Sequence, residues 1–188
     1  SARAIRSCCS EGSSEMSRLR VGLLWVTVML CASPVQAAIT NALLTSGSST
    51  TDATSYTTDS ITPTGNTLVL AAIFNSAATA ATPTLSGNGI TWVSIRSSLI
   101  DADITNGRLT LFRGMVASPT AGAVTIDFAG VTQTGCAWSI SEFSSVDTTG
   151  TNGSGAVVQN AGSFPGTKGT SVSVTLAAFG DATNNAAF

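Results

Sequence analysis

The chain has 188 residues, enough for one domain with its own core, and 43% of them are hydrophobic while only 10% are charged. Of eight Lys and Arg, four (Arg3, Arg6, Arg18, Arg20) lie in the first 20 positions. That leaves Arg96, Arg108, Arg113 and Lys168 against eight acids (ten less Glu11 and Glu15), a net charge of 4 − 8 = −4 from residue 38 onward. This balance argues against nucleic acid or an anionic membrane as partner, since both call for clustered Lys and Arg. With no His in the chain, Ser-His-Asp and Cys-His nucleophile systems and His-ligated zinc are excluded.

In chain order, residues 1–15 carry Cys8 and Cys9 with no periodicity and are expected to be upstream sequence outside the natural product. Residues 16–37 have the layout of a bacterial signal peptide. Arg18 and Arg20 follow Met16, residues 21–30 form an apolar core, and Val35 and Ala37 are the small residues at −3 and −1 of a cleavage site between Ala37 and Ala38. An apolar core of about ten residues is half of the roughly 20 that span a bilayer, so no stable membrane anchor is expected. Leu30 before Cys31 is too bulky for a lipid-attachment site. Cleavage would remove Cys8, Cys9 and Cys31 and leave Cys136 without a disulfide partner, so stability must come from a sheet core. The expected location is secreted, periplasmic or cell surface.

Residues 38–52 read as a flexible polar lead-in, and residues 53–188 as one domain. Among the 151 residues from 38 onward are 27 Thr and 19 Ser, a composition that favours strands and turns over helices. Val124, Ile126 and Phe128 alternate with polar residues, and so do Val172, Val174 and Leu176; each set predicts a half-buried strand. Residues 68–74 are apolar throughout, which predicts a central strand covered on both faces. Further strands are expected within 90–95, 108–116 and 135–143, and weaker ones at 54–58, 82–85 and 156–159. Turn chemistry stands between them at 63–66 (PTGN), 87–89 (GNG), 106–107 (NG), 119–122 (PTAG) and 152–155 (NGSG). Many short strands at this spacing imply an all-β fold, an antiparallel β-sandwich of jelly-roll or immunoglobulin-like type. Residues 186–188 (AAF) begin an apolar run, so the domain is expected to be cut at its C-terminal end.

Few residues offer chemistry. Asp127 and Glu142 both fall on predicted strands and would serve as an acid–base pair if they met, though solubilising surface charges explain them as well. Asp101, Asp103 and Thr105 have the oxygen-rich look of a calcium loop, but Asn106 and Phe112 stand where an EF-hand needs Gly and Glu; a polar hairpin loop without metal is expected. Cys136 shares its phase with Trp138 and Ile140 and reads as a buried small hydrophobe. Trp138 and Trp92 read as core, whereas Tyr56, set among Thr and Ser, is the candidate for an exposed ring on which a neutral sugar stacks. The polar loop 144–155 would either contact a ligand or move freely, and its Asn152, Gly153 and Ser154 match an N-glycosylation pattern.

The succession 65–70 (GNTLVL), 89–92 (GITW), 108–112 (RLTLF), 122–126 (GAVTI) and 138–143 (WSISEF), followed by Val146 and Asp147, resembles β-sandwich modules of secreted bacterial and phage-associated proteins of uncharacterised function. The likeness spans about residues 50–180; it implies a fold and a surface location and no catalytic residue. The expected function is an exported, non-enzymatic module for surface assembly, adhesion or weak contact with neutral glycans, without cofactor. The alternative is an accessory module or fragment of a secreted polysaccharide-degrading enzyme.

Overall fold

The computed structural model describes residues 37–101, 104–162 and 173–178. Eight strands form in chain order: β1 (Thr40–Ser49), β2 (Ser55–Thr57), β3 (Leu68–Ser76), β4 (Thr84–Ser86), β5 (Val93–Asp101), β6 (Ile104–Gly114), β7 (Thr125–Asp127) and β8 (Gly135–Ser144). Among the described residues there is no helix, and so none long and apolar enough to cross a membrane. The strands make two antiparallel sheets, one in the order β1-β8-β3-β6-β5 and one in the order β2-β7-β4. A single cluster of buried side chains draws Val69, Ala71 and Ile73 from β3, Phe112 from β6 and Cys136 and Ile140 from β8, together with Tyr56 from β2 and Ile126 from β7. The two sheets therefore share one core, as in a β-sandwich.

The pairing is nested. β1 pairs with β8, β2 with β7 and β3 with β6, each pair lying in the other sheet from the one before. Isolated bridges at Ala53↔Gln133 and Ile61↔Gly122 continue the pairing between these steps. The first part of the chain thus runs antiparallel to the later part as one ribbon, with β5 standing aside as the hairpin partner of β6.

The apolar run of residues 68–74 takes the middle place in the five-stranded sheet. Val69, Ala71 and Ile73 point into the shared core, while Leu68 and Leu70 are buried on the opposite face. The 124–128 alternation is equally literal: Val124, Ile126 and Phe128 are all buried, and Asp127 is exposed. At roughly 1.5–3 kcal/mol for each large apolar side chain enclosed, these two segments supply much of the driving force for closing the sandwich.

Some expectations fail. The lead-in 38–52 is not a loose segment over its length, because residues 40–49 form β1, paired with β8 throughout and shifted in register between Leu43 and Thr45. Asn106 and Gly107 do not turn but lie inside β6. Gly107 sits in tight surroundings there: a Cβ would stand 3.0 Å from Ile100 Cδ1 and 3.4 Å from Phe74 Cε2, so the Ile100 side chain would have to give way. Residues 156–159 form no strand, and the strand of 90–95 begins only at Val93. Of the alternating segment at 172–176, Val172 lies outside the described residues, and 173–178 are exposed and form no strand. The signal segment up to residue 36, Asp103 and residues 186–188 also lie outside the described residues.

Candidate functional site

Tyr56 cannot serve as an exposed stacking platform. It is 6% exposed, its ring meets Phe128 edge to face at 6.0 Å between centroids, and its hydroxyl is shared between the carbonyls of Thr51 (2.8 Å) and Gln133 (3.0 Å). On a three-residue strand only the middle side chain faces the core, and Tyr56 holds that place opposite Ile126. Burial pushes its phenol above the usual range. Sequence reasoning took the flanking Thr and Ser for a sign of exposure, when they are the outward phase of the same strand.

Beside Tyr56 lies a polar anchor that sequence reasoning missed. Gln133 is fully buried; its Oε1 accepts from Asn75 Nδ2 (2.7 Å) and Ala81 N (3.3 Å), and its Nε2 donates to Val131 O (3.1 Å). Asn75 also donates to Ala81 O (3.0 Å). These bonds pin the loops that follow β3 and precede β8, which is a structural task with no exposed group to act on a ligand. Trp92 and Trp138 are partly buried and pack against the shared core, as expected. Cys136 is buried too, and desolvation pushes its thiol up to about 12, far from a reactive thiolate.

The carboxylates lie in different sheets. Asp127, on β7, is exposed and accepts from Ala129 N (3.1 Å). Glu142, on β8, accepts from Thr64 N (2.8 Å), Thr64 Oγ1 (3.1 Å) and Thr67 Oγ1 (3.3 Å), tying down the loop before β3. Asp127 holds the backbone of its own turn, and Glu142 holds that of a loop distant in sequence. Asp147 is held below the usual carboxylate range by hydrogen bonding from Thr149, whose N–H donates to it at 2.7 Å. Among the described residues no three of His, Cys, Asp and Glu gather in one place. Ala37 and Ala38 are exposed and precede β1.

The outward faces of the two sheets differ sharply. On the small sheet, Ser55, Asp127 and Thr84 lie abreast, as do Thr57, Thr125 and Ser86, so that face is a grid of hydroxyls around one carboxylate. The outward face of the large sheet is mixed: the rows Ala137, Phe74, Leu109, Ser98 and Ser139, Ala72, Leu111, Arg96 set apolar side chains among hydroxyls and a guanidinium. One end is covered by a strap, residues 145–162, whose Val146, Ala156 and Val157 pack on Leu68, Leu70 and Phe143 and whose Gly162 carbonyl accepts from Arg96 (3.2 Å). The rest is open: Phe74 and Leu109 lie directly opposite each other, Ile100 leans over Gly107 towards Phe74, and Leu109 and Ile100 are 43% and 53% exposed. The sequence signal for this face was the apolar phase of 109 and 111 on β6, opposite to that of Phe112.

No family model matches the chain, and no curated protein or solved structure matches it either.

Proposed function

We propose that this is an exported, non-enzymatic β-sandwich of jelly-roll type that works in surface assembly or adhesion, meeting its protein partner through the outward face of the large sheet. The observation that carries this reading is the open apolar group of Phe74, Leu109 and Ile100 on an otherwise hydroxyl-rich chain. Soluble domains keep such groups small unless something docks there. The nested pairing of β1 with β8, β2 with β7 and β3 with β6 across alternate sheets favours the jelly roll over the immunoglobulin-like alternative. The leader with its small residues at 35 and 37 supports export, with Ala38 as the first mature residue. The resemblance to modules of secreted and phage-associated proteins points the same way.

A photo-reactive residue placed at Leu109, in the cell that natively makes the chain, tests the reading against one placed at Thr57 on the hydroxyl face. Adducts of discrete mass at 109 and none at 57 are expected. Adducts at neither position, or only at 57, overturn it.

A second reading keeps the neutral glycan. With Tyr56 enclosed it loses its stacking ring, but the six-position grid of Ser55, Thr57, Thr84, Ser86, Thr125 and Asp127 still supports hydrogen bonding to sugar hydroxyls. Such contacts are water-exposed and individually modest, so attachment would need several copies at once. A glycan array probed with a multivalent display of the chain tests it, and silence across neutral polysaccharides removes it.

A further inference from the structure

The chain carries a second exposed apolar group, and it matches the first. In residues 173–178 (SVTLAA), Val174, Leu176 and Ala178 alternate with Ser173, Thr175 and Ala177, the pattern of a strand with one apolar face, yet Val174 and Leu176 are 47% and 38% exposed and the segment joins neither sheet among the described residues. Gln159 Nε2 donates to Ala177 O (3.1 Å), so the segment is held to the end of the strap that lies on the large sheet, while the Phe74, Leu109 and Ile100 group of the same chain stays open.

We propose that residues 173–178 of one copy dock on the Phe74, Leu109 and Ile100 group of a second copy. This rests on the reading of that face as a docking surface and names the partner as the chain itself. Both groups are uncharged, so nothing ionic is stranded when they meet, and each copy offers one of each. The contact is heterologous: it closes into a reciprocal dimer or a ring where the geometry returns on itself, and otherwise grows as a filament, the behaviour of a module used for assembly.

Complementary disruption tests this with the purified full chain. Val174→Asp spoils the segment and leaves the sheet face intact; Leu109→Asp spoils the face and leaves the segment intact. Both sites are already exposed, so at a dilution where the wild type is dissociated neither change should move the urea midpoint, which is measured alongside. By light scattering over a wide concentration range, the wild type should associate and each variant alone should stay monomeric. An equimolar mixture of the two should form dimers, because the intact segment of one fits the intact face of the other. A monomeric wild type overturns the proposal, and so does a mixture that stays monomeric. If Val174→Asp associates like the wild type while Leu109→Asp does not, the occupant is wrong and the docking face stands. If Leu109→Asp also associates normally, the face itself is not used.

Discussion

At the scale of single residues, the phase of a strand decides which side chains face the core. Ile126 and Thr125 are neighbours on β7, one fully enclosed and the other looking outward with Ser86 and Thr57. Ile126→Asp should therefore cost several kcal/mol, enough to unfold a domain of ordinary stability, about 5–15 kcal/mol, while Thr125→Asp should shift a urea midpoint little. Equal damage from both would mean that β7 is covered on its outer face as well. Tyr56→Phe keeps the ring and removes its hydroxyl, taking a donor from the Thr51 carbonyl while the Gln133 carbonyl still accepts from Ala53 N (3.1 Å), for a loss of about 1 kcal/mol by urea unfolding. Cys136 adds a pH dependence of definite sign. Its folded thiol titrates at about 12 against an ordinary 9.0, so its contribution is complete below 9 and is lost as pH rises towards 12. Tyr56 acts in the same sense above its ordinary 10.0. Stability should fall from pH 9 upward, with a shallower slope in Cys136→Ala; an unchanged slope would rule out the thiol as a source. The phase of Cys136 and Ile126 was legible because apolar residues alternate around them. That of Tyr56 was not, since a three-residue strand shows no alternation of its own and its burial depends on Phe128 and Gln133, far along the chain.

At the scale of elements, β1 shows how a polar sequence becomes a strand. Its TNALLTSGSS offers few apolar side chains and ends in small hydroxyls, so composition suggests a loose lead-in. What orders it is the ladder with β8, which no local pattern announces, because the partner lies about a hundred residues away. Gly47, opposite Trp138, marks the contact: a Cβ there would stand 2.7 Å from the indole Cζ2. Gly47→Val, which strand propensity alone would favour, should instead destabilise by about 1–3 kcal/mol through overpacking, with a change in tryptophan emission. A neutral outcome would mean that β1 does not hold this place. β3 was the opposite case, since a wholly apolar stretch can sit only where both faces are covered. Its second cover proved partial among the described residues: Leu68 and Leu70 are buried on that face, whereas Phe74 is half-buried.

At the scale of the molecule, the described apolar side chains fall into an enclosed core, a strapped patch, the Phe74, Leu109 and Ile100 group, the exposed pair Val174 and Leu176, and the scattered exposed residues Leu43, Val131 and Val158. All-β class and two-sheet architecture were legible from strand spacing and alternation, whereas the nested order of pairs was not, because pairing between distant segments leaves no local trace. The site was still less legible. The Tyr56 hypothesis looked for an aromatic ring among polar neighbours, but the distinctive surface consists of aliphatic residues on β5 and β6 whose exposure depends on where residues 145–162 come to rest. Urea unfolding and sedimentation of one Leu109→Ser, Ile100→Ser variant, read together, decide whether the outer face of the large sheet is a docking surface. An open docking face predicts an unchanged midpoint and slope at a dilution where the wild type is dissociated, together with lost association at higher concentration. A midpoint lowered like that of Ile126→Asp would place these residues in the core, and association equal to that of the wild type would show that the face has no part in assembly.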